Sequence, residues 1–185
     1  MSASFTLFDT AVGPCGLVWG EQGILGVQLP ERNEAATRAR LLRRYPGASE
    51  MPPSGTISLA RDAIIALIAG ENRDFSDIVL DMRDLPALNR QVYEIARTIA
   101  PGATLTYGEI ATKLGDRTLA QAVGQALGKN PYPIIVPCHR VLAAGGKIGG
   151  FSAPTGIALK RKLLAIESVH ARGAPDLFAS RRHAS

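Results

Sequence analysis

Cysteine is almost missing from this chain: 185 residues contain two, Cys15 and Cys138. Two thiols so far apart in sequence are not a disulfide framework. With only three histidines they make no persuasive zinc set either, so neither a metal nor a cofactor is expected. In a reducing compartment both stay thiols, and one of them is then available to react. Long apolar runs are also lacking. None approaches the ~20 residues that a membrane-spanning helix needs, so no membrane association is expected. Met1-Ser2-Ala3-Ser4 has no basic region leading into an apolar stretch, so no signal peptide is expected and the cytoplasm is the default location. With 46% hydrophobic residues the composition is that of a globular protein, not a disordered one.

Acidic residues are scarce in one half only. Residues 1–85 hold 8 Lys+Arg against 11 Asp+Glu, or −3, and residues 86–185 hold 13 against 5, or +8. A basic half beside a mildly acidic one suits a chain whose C-terminal part meets a polyanion, although a solvated basic surface gives the same count.

The pattern divides in the same place. Residues 4–30 read as short strands, with Glu21-Gln22 as a hairpin turn between Gly16–Gly20 and Gly23–Leu29. Residues 32–45 predict a helix with an Arg-rich face. Residues 46–55 predict a loop, and residues 57–70 a helix with Leu59, Ala63, Ala66 and Leu67 at helical spacing. Ile78-Val79-Leu80 predicts a last strand. Asp84-Leu85-Pro86 marks a boundary, after which Leu88, Val92, Ile95, Ala96 and Ile99 line a helix that Pro101-Gly102 ends. Thr106 is placed to cap a helix at 107–114, and Thr118 to cap another, with the Gly115 turn between them. That is the outline of a helix-turn-helix, and equally of a helical hairpin with no nucleic-acid role. The second helix exposes Gln121, Gly124, Gln125 and Gly128. Each glycine costs about 1 kcal/mol of helix stability relative to alanine. Close approach to another surface explains that cost, whether a duplex groove or a neighbouring element of the fold. Ile134-Ile135-Val136 predicts a short strand, Thr155-Gly156 opens a final helix running to about Ser168, and residues 169–185 predict a disordered tail. The fold class is α+β: a small N-terminal α/β domain with antiparallel strands (1–85), then a helical domain with a winged-helix-like helix-turn-helix (86–168).

Cys138 stands in Pro137-Cys138-His139-Arg140-Val141. A thiol is weakly ionised at neutral pH unless a base or a positive field assists it. His139 is such a base if a carboxylate holds its tautomer, and Glu167, near the end of the last helix, is the candidate. Most free cysteines are buried small hydrophobes, so the pair alone decides nothing.

The wider constellation does. Tyr107-Gly108-Glu109-Ile110-Ala111, Ala122-Val123-Gly124, Asn130-Pro131, Pro137-Cys138-His139-Arg140-Val141, Gly149, Ser152 and the stretch Lys160 to Glu167 together resemble the O6-alkylguanine-DNA alkyltransferase family over residues 86–168. The resemblance implies DNA repair by irreversible, single-turnover transfer of a methyl or larger alkyl group from O6-alkylguanine, with O4-alkylthymine a second candidate substrate. The damaged nucleotide is first flipped out of the duplex, because its atoms are out of reach inside the stack. It implies that Cys138 accepts the alkyl group, that His139 acts as a water-mediated base oriented by Glu167, and that Tyr107 donates a hydrogen bond or proton to the leaving guanine. Asn130 would tie the helix-turn-helix to the active-site loop. Val141, Phe151 and Ser152 would line the base pocket. The helix at 118–127 would enter the minor groove, with Thr118, Gln121, Ala122, Gly124, Gln125 and Arg140 at the DNA. The partner implied is alkylated DNA, met by a monomer.

Three features depart from the family. Where an arginine fills the hole left by the flipped base, this chain has Gln121, which brings no cation and less stacking surface. Phe151 stands where tyrosine is common, and the loop Ser152–Gly156 is two residues longer. Gln121 keeps open an alternative: a lesion sensor that binds alkylated bases and recruits partners with weak transfer. A thiol enzyme acting on nucleotides or small molecules is a further alternative, which strong salt dependence of DNA binding would exclude. Replacement Gln121→Arg is expected to speed alkyl transfer from duplex DNA, measured as single-turnover rate. No gain would mean that glutamine suffices or that duplex is not the substrate.

Overall fold

The computed structural model describes residues 3–148 and 154–173. The N-terminal segment is a four-stranded sheet in the order β3-β2-β1-β4: β1 (Ser4–Thr10), β2 (Gly13–Gly20), β3 (Gly23–Gln28) and β4 (Ser49–Glu50). The expected hairpin is present, with Gly20 opposite Gly23 across Glu21-Gln22. Gly23 sits at φ +131, a conformation that glycine adopts without a side-chain penalty. Helix α1 (Glu34–Arg44) is capped by Asn33, whose side chain accepts from the Ala36 amide at 2.9 Å. It buries Thr37 and Leu41 and leaves its arginines outside.

Three expectations need correction here. Residues 46–55 are not all loop, because Ser49–Glu50 pairs in parallel with β1. Ile78–Leu80 is not a strand: Leu80 makes a single bridge to Ile24, through the Ile24 amide to the Val79 carbonyl and the Asp81 amide to the Ile24 carbonyl, and Arg97 adds bonds to the carbonyls of Phe75, Ser76 and Ile78. Leu59 is 69% exposed. Helix α2 (Gly55–Ile68) buries Leu67 as expected, together with Ala60, Ile64 and Ile68.

The C-terminal segment is helical. Helix α3 (Ala87–Arg97) buries Val92, Tyr93 and Ala96. Helix α4 (Tyr107–Lys113) begins with a reciprocal capping box: the Glu109 amide donates to Thr106 Oγ1 at 3.1 Å, and the Thr106 amide donates to the Glu109 carboxylate at 2.6 Å. Gly115 turns the chain at φ +92. Thr118 does not cap the next helix. Asp116 accepts from the Thr118 amide and hydroxyl, at 2.9 and 2.6 Å, and starts a 3-10 turn at Arg117–Leu119 that leads into α5 (Ala120–Gly128). Tyr93 then donates to the Ala126 carbonyl at 2.8 Å, satisfying one of the acceptors that a helix C-terminus leaves open. Strands β5 (Leu105–Thr106) and β6 (Val141–Leu142) pair in parallel. Ile134–Val136 is not a strand but part of a tight turn. Helix α6 (Pro154–Gly173) runs past the expected end at Ser168. The rest of the predicted tail, 174–185, lies outside the described residues.

One buried cluster joins the two segments: Cys15, Leu17, Ile24 and Val27 pack with Tyr132, Ile134, Val136, Val141 and Leu163. Backbone bonds cross as well, from the Val27 amide to the Pro131 carbonyl at 2.9 Å. Gly26 permits this approach. A Cβ there would overlap the Tyr45 hydroxyl and come within 3.1 Å of the Pro131 carbonyl. The hydroxyl is pinned, donating to the Leu25 carbonyl at 2.9 Å. The replacement Gly26→Ala is therefore expected to cost about 1–3 kcal/mol through overpacking, read as a lower urea midpoint with unchanged slope.

Candidate active site

Residues 130–141 form a buried loop built on Asn130. Its amide nitrogen donates to the Val136 carbonyl at 2.9 Å, and its oxygen accepts from the Tyr132 amide at 2.9 Å. The Val136 amide returns to the Tyr132 carbonyl at 2.8 Å. The turn so closed is tight enough to force Ile134 to φ +76. A β-branched residue there is strained by roughly 1–3 kcal/mol, which burial of its side chain, also worth about 1.5–3 kcal/mol, offsets. Tyr132 fastens the loop from the other side by donating to the Asp81 carbonyl.

Cys138 follows as the first residue of a 3-10 turn, Cys138–Arg140, and is buried. Burial pushes its thiol pKa up. The Asn130 side chain, the positive charge of Lys160 and the backbone N–H groups of Cys138 and His139 oppose that rise. The resting group is thus a neutral thiol whose anion has hydrogen-bond donors and a cation waiting for it. His139 Nε2 lies 2.8 Å from Glu167 Oε1. The carboxylate accepts the Nε2 proton, leaving Nδ1 as the basic atom. Burial pushes the His139 pKa down more than Glu167 raises it, with Arg140 and Lys160 acting in the same direction as burial.

Arg140 completes the set. Its Nε and Nη2 donate to Glu167, at 3.0 and 2.8 Å, and its Nη1 donates to the Ile99 carbonyl. Burial alone would raise the Glu167 pKa, but the hydrogen bonds and charges of His139 and Arg140 outweigh it and hold it at about 2. Tyr107, at the capped start of α4, is half-buried. Burial and a neighbouring Cys138 raise its pKa, so it stays a phenol and a donor.

Residues 87–169 match the family described as the DNA-binding domain of 6-O-methylguanine DNA methyltransferase. The chain is 35% identical over 174 residues to the methylated-DNA–protein-cysteine methyltransferase of Mycobacterium tuberculosis (strain ATCC 25618 / H37Rv), covering 94% of this chain and 98% of the relative. The chain belongs to this methyltransferase family. The crystal structure of Mycobacterium tuberculosis OGT in complex with DNA superposes with a TM-score of 0.73 at 34% identity, covering 90% of this chain and 93% of that one. A DNA base-flipping protein of Thermus thermophilus is 37% identical over 147 residues, 79% of this chain and 90% of its own.

In this methyltransferase the residues singled out from the sequence fall into two groups. Cys138, His139, Asn130 and Val141 lie in the buried loop, Glu167 reaches His139 from α6, and Tyr107 sits beside Gly124 across the helix-turn-helix. Gln121, Gln125 and Thr118 are exposed along α5 and its entry, and Ala122 and Gly124 are half-buried there. Gly124 does not owe its identity to internal packing: a Cβ would meet only the Tyr107 ring, at an ordinary 3.9 Å. Gly128 would meet nothing within 4 Å among the described residues.

Arg140 is a correction. Expected at the DNA, it is 4% exposed and fully engaged inside the protein, because a guanidinium forks onto a buried carboxylate better than any other side chain. Phe151 and Ser152 lie outside the described residues. Lys160 is a site residue that sequence reasoning missed: it is buried and donates to the Val141 carbonyl at 2.6 Å. A signal existed: Lys160, Leu163 and Glu167 are spaced i, i+3, i+7, one face of α6, and all three are buried.

The replacement Glu167→Gln leaves Arg140 buried without its anion and is expected to cost about 3–5 kcal/mol, measured by denaturant unfolding. The pH dependence has a definite sign. His139 is held neutral below its unfolded value of 6.5, and Glu167 is held ionised below its unfolded value of 4.5. In both cases the unfolded chain binds the extra proton first. Stability therefore falls as pH drops through 6.5, and again between 4.5 and about 2. In His139→Asn the decline near pH 6.5 should be absent.

Proposed function

We propose that this protein repairs DNA by moving the alkyl group of O6-alkylguanine irreversibly onto Cys138. The observation that carries the reading is a buried thiol, Cys138, in the same 3-10 turn as a buried His139 whose Nε2 lies 2.8 Å from Glu167. His139 Nδ1 is free to receive a proton, Glu167 is fixed as an anion, and Lys160 and Asn130 are set to stabilise the thiolate. In the transfer, the Cys138 proton leaves through a water to His139, and Glu167 stabilises the imidazolium. The thiolate sulfur attacks the alkyl carbon, an S–C bond forms, and the C–O bond to the guanine breaks. Its electron pair goes to the base, which gains a proton, with Tyr107 as the donor at the ring. The products are unmodified guanine and an S-alkylcysteine that has no route back to the thiol, so each molecule acts once.

Residues 86–168 would hold both the chemistry and the α5 surface for the minor groove, and residues 1–85 would brace the loop through Val27 and Tyr45. Every group invoked comes from one chain, in keeping with a monomer. A reduced thiol is needed at the start, which supports a reducing compartment such as the cytoplasm. The sensor alternative is less well supported, because a protein that only binds has no use for the thiol, the ionised Glu167 and the neutral His139 together.

After incubation with duplex or single-stranded DNA carrying O6-methylguanine, intact-mass spectrometry is expected to show a gain of one CH2 unit, mapped to Cys138. Cys138→Ala should bind the lesion and gain nothing. Wild-type protein that binds methylated DNA yet stays unmodified would return the sensor alternative.

A further inference from the structure

The cavity that includes Cys138 does not end at the active-site loop. It has a volume of about 860 Å³ and reaches the exposed face of α1. One wall carries Gly128, Asn130, Pro133 and Cys138. The α1 wall of the same cavity carries Arg40, Arg43 and Arg44, with Arg32 just before the helix. Lys162 of α6 lines the same cavity. Glu31 is the sole carboxylate of the lining among the described residues, and it is paired with Arg40 at 3.1 Å.

Two features separate this wall from an ordinary solvated helix face. The first is where the neutralising acids lie. Arg38, on the same helix but not in the cavity lining, is paired with both Glu34 and Glu50. Arg32 and Arg43 have no acidic partner among the described residues, and Arg44 lies over the Tyr45 ring at 5.5 Å. Arg43 and Arg44 in the last turn also favour the helix dipole, but that does not account for Arg32 or Arg40. The second feature is the neutrality of α5. Between Arg117 and Lys129 that helix has no charged residue, so a duplex seated on it receives few of the phosphate contacts that supply most DNA affinity.

We propose that the α1 wall is a phosphate clamp, in which Arg32, Arg40, Arg43 and Arg44 hold the backbone of the damaged strand beside the extruded nucleotide. The inference rests on the alkyl-transfer reading and assigns a DNA-binding role to the net-acidic half of the chain. Gly128 lines the same cavity as these arginines, so a strand leaving the end of α5 passes directly between the two walls. The nucleotide reaching Cys138 then has its flanking phosphates among guanidinium groups, which fork onto phosphate oxygens.

The test compares wild type, the double variant Arg32→Gln/Arg43→Gln and the control Arg38→Gln. Binding to an O6-methylguanine duplex is measured by fluorescence anisotropy from about 50 to 200 mM salt, a range over which binding that depends on phosphate neutralisation weakens steeply. Transfer from free O6-benzylguanine, which has no phosphate, is followed in parallel. The double variant is expected to bind the duplex more weakly. Its slope of log K against log salt should be shallower by ~0.9 for each phosphate that is no longer neutralised, while its reaction with the free base stays at the wild-type rate. Arg38→Gln should match wild type in both. An unchanged slope in the double variant, an equal weakening in Arg38→Gln, or a parallel slowing with the free base overturns the clamp. Wild-type protein that is alkylated from neither source overturns the alkyl-transfer reading itself, a separate and recognisable outcome.

Discussion

Glu167 is a carboxylate almost without water. It stays ionised only because His139 and the fork of Arg140 occupy its oxygens. Burying such a set costs several kcal/mol per ion in desolvation, and a hydrophobic replacement is often as stable. What the ions provide here is position. Arg140 ties α6 to the end of α3 through the Ile99 carbonyl, and the same carboxylate fixes the tautomer of His139. The 3-10 turn that presents Cys138 is thus held by charge on one side. It is held on the other by Lys160, which caps the Val141 carbonyl.

The loop before Cys138 is held by different means. Asn130 folds it back on itself and strains Ile134, and burying Tyr132 through Val136 against the N-terminal strands offsets that strain. Gly26 and Tyr45 shape that interface. The sheet has no reactive group of its own in this arrangement, yet the nucleophile's setting depends on it. A neutral buried thiol is a sensible resting state. Burial holds its pKa up, and the donors that oppose the rise are already in place.

Charge is distributed by the fold rather than by the sequence halves. The C-terminal half owns most of the surplus cations, yet Arg140 and Lys160 are held inside and α5 is neutral. The N-terminal half is acidic in sum, yet α1 turns its unpaired arginines toward the cavity of Cys138. Gly124 and Gly128 leave α5 smooth toward the outside, with no internal neighbour among the described residues that requires them. A neutral, close-fitting helix flanked by a basic wall suits a ligand whose base must enter while its backbone stays at the rim.

Taken alone, the sequence determined the α+β class, the hairpin at Glu21-Gln22 and the helix-turn-helix around Gly115. These follow from local signals, namely turn residues, caps and helical spacing, whereas Glu167 was only a candidate partner for His139, 28 residues away, until the fold joined them. Tertiary structure alone decided what depends on distant neighbours. Ile134–Val136 has strand composition but is bent by Asn130. Leu59 has helical spacing but faces solvent. Thr118 yields its capping role to Asp116. Arg140 looks like a surface cation until a carboxylate 27 residues away takes it inside, and the arginines of α1 share a cavity with the thiol where β3 is bonded to the active-site loop. Spacing along a chain reports which groups share a face, but not what that face is pressed against.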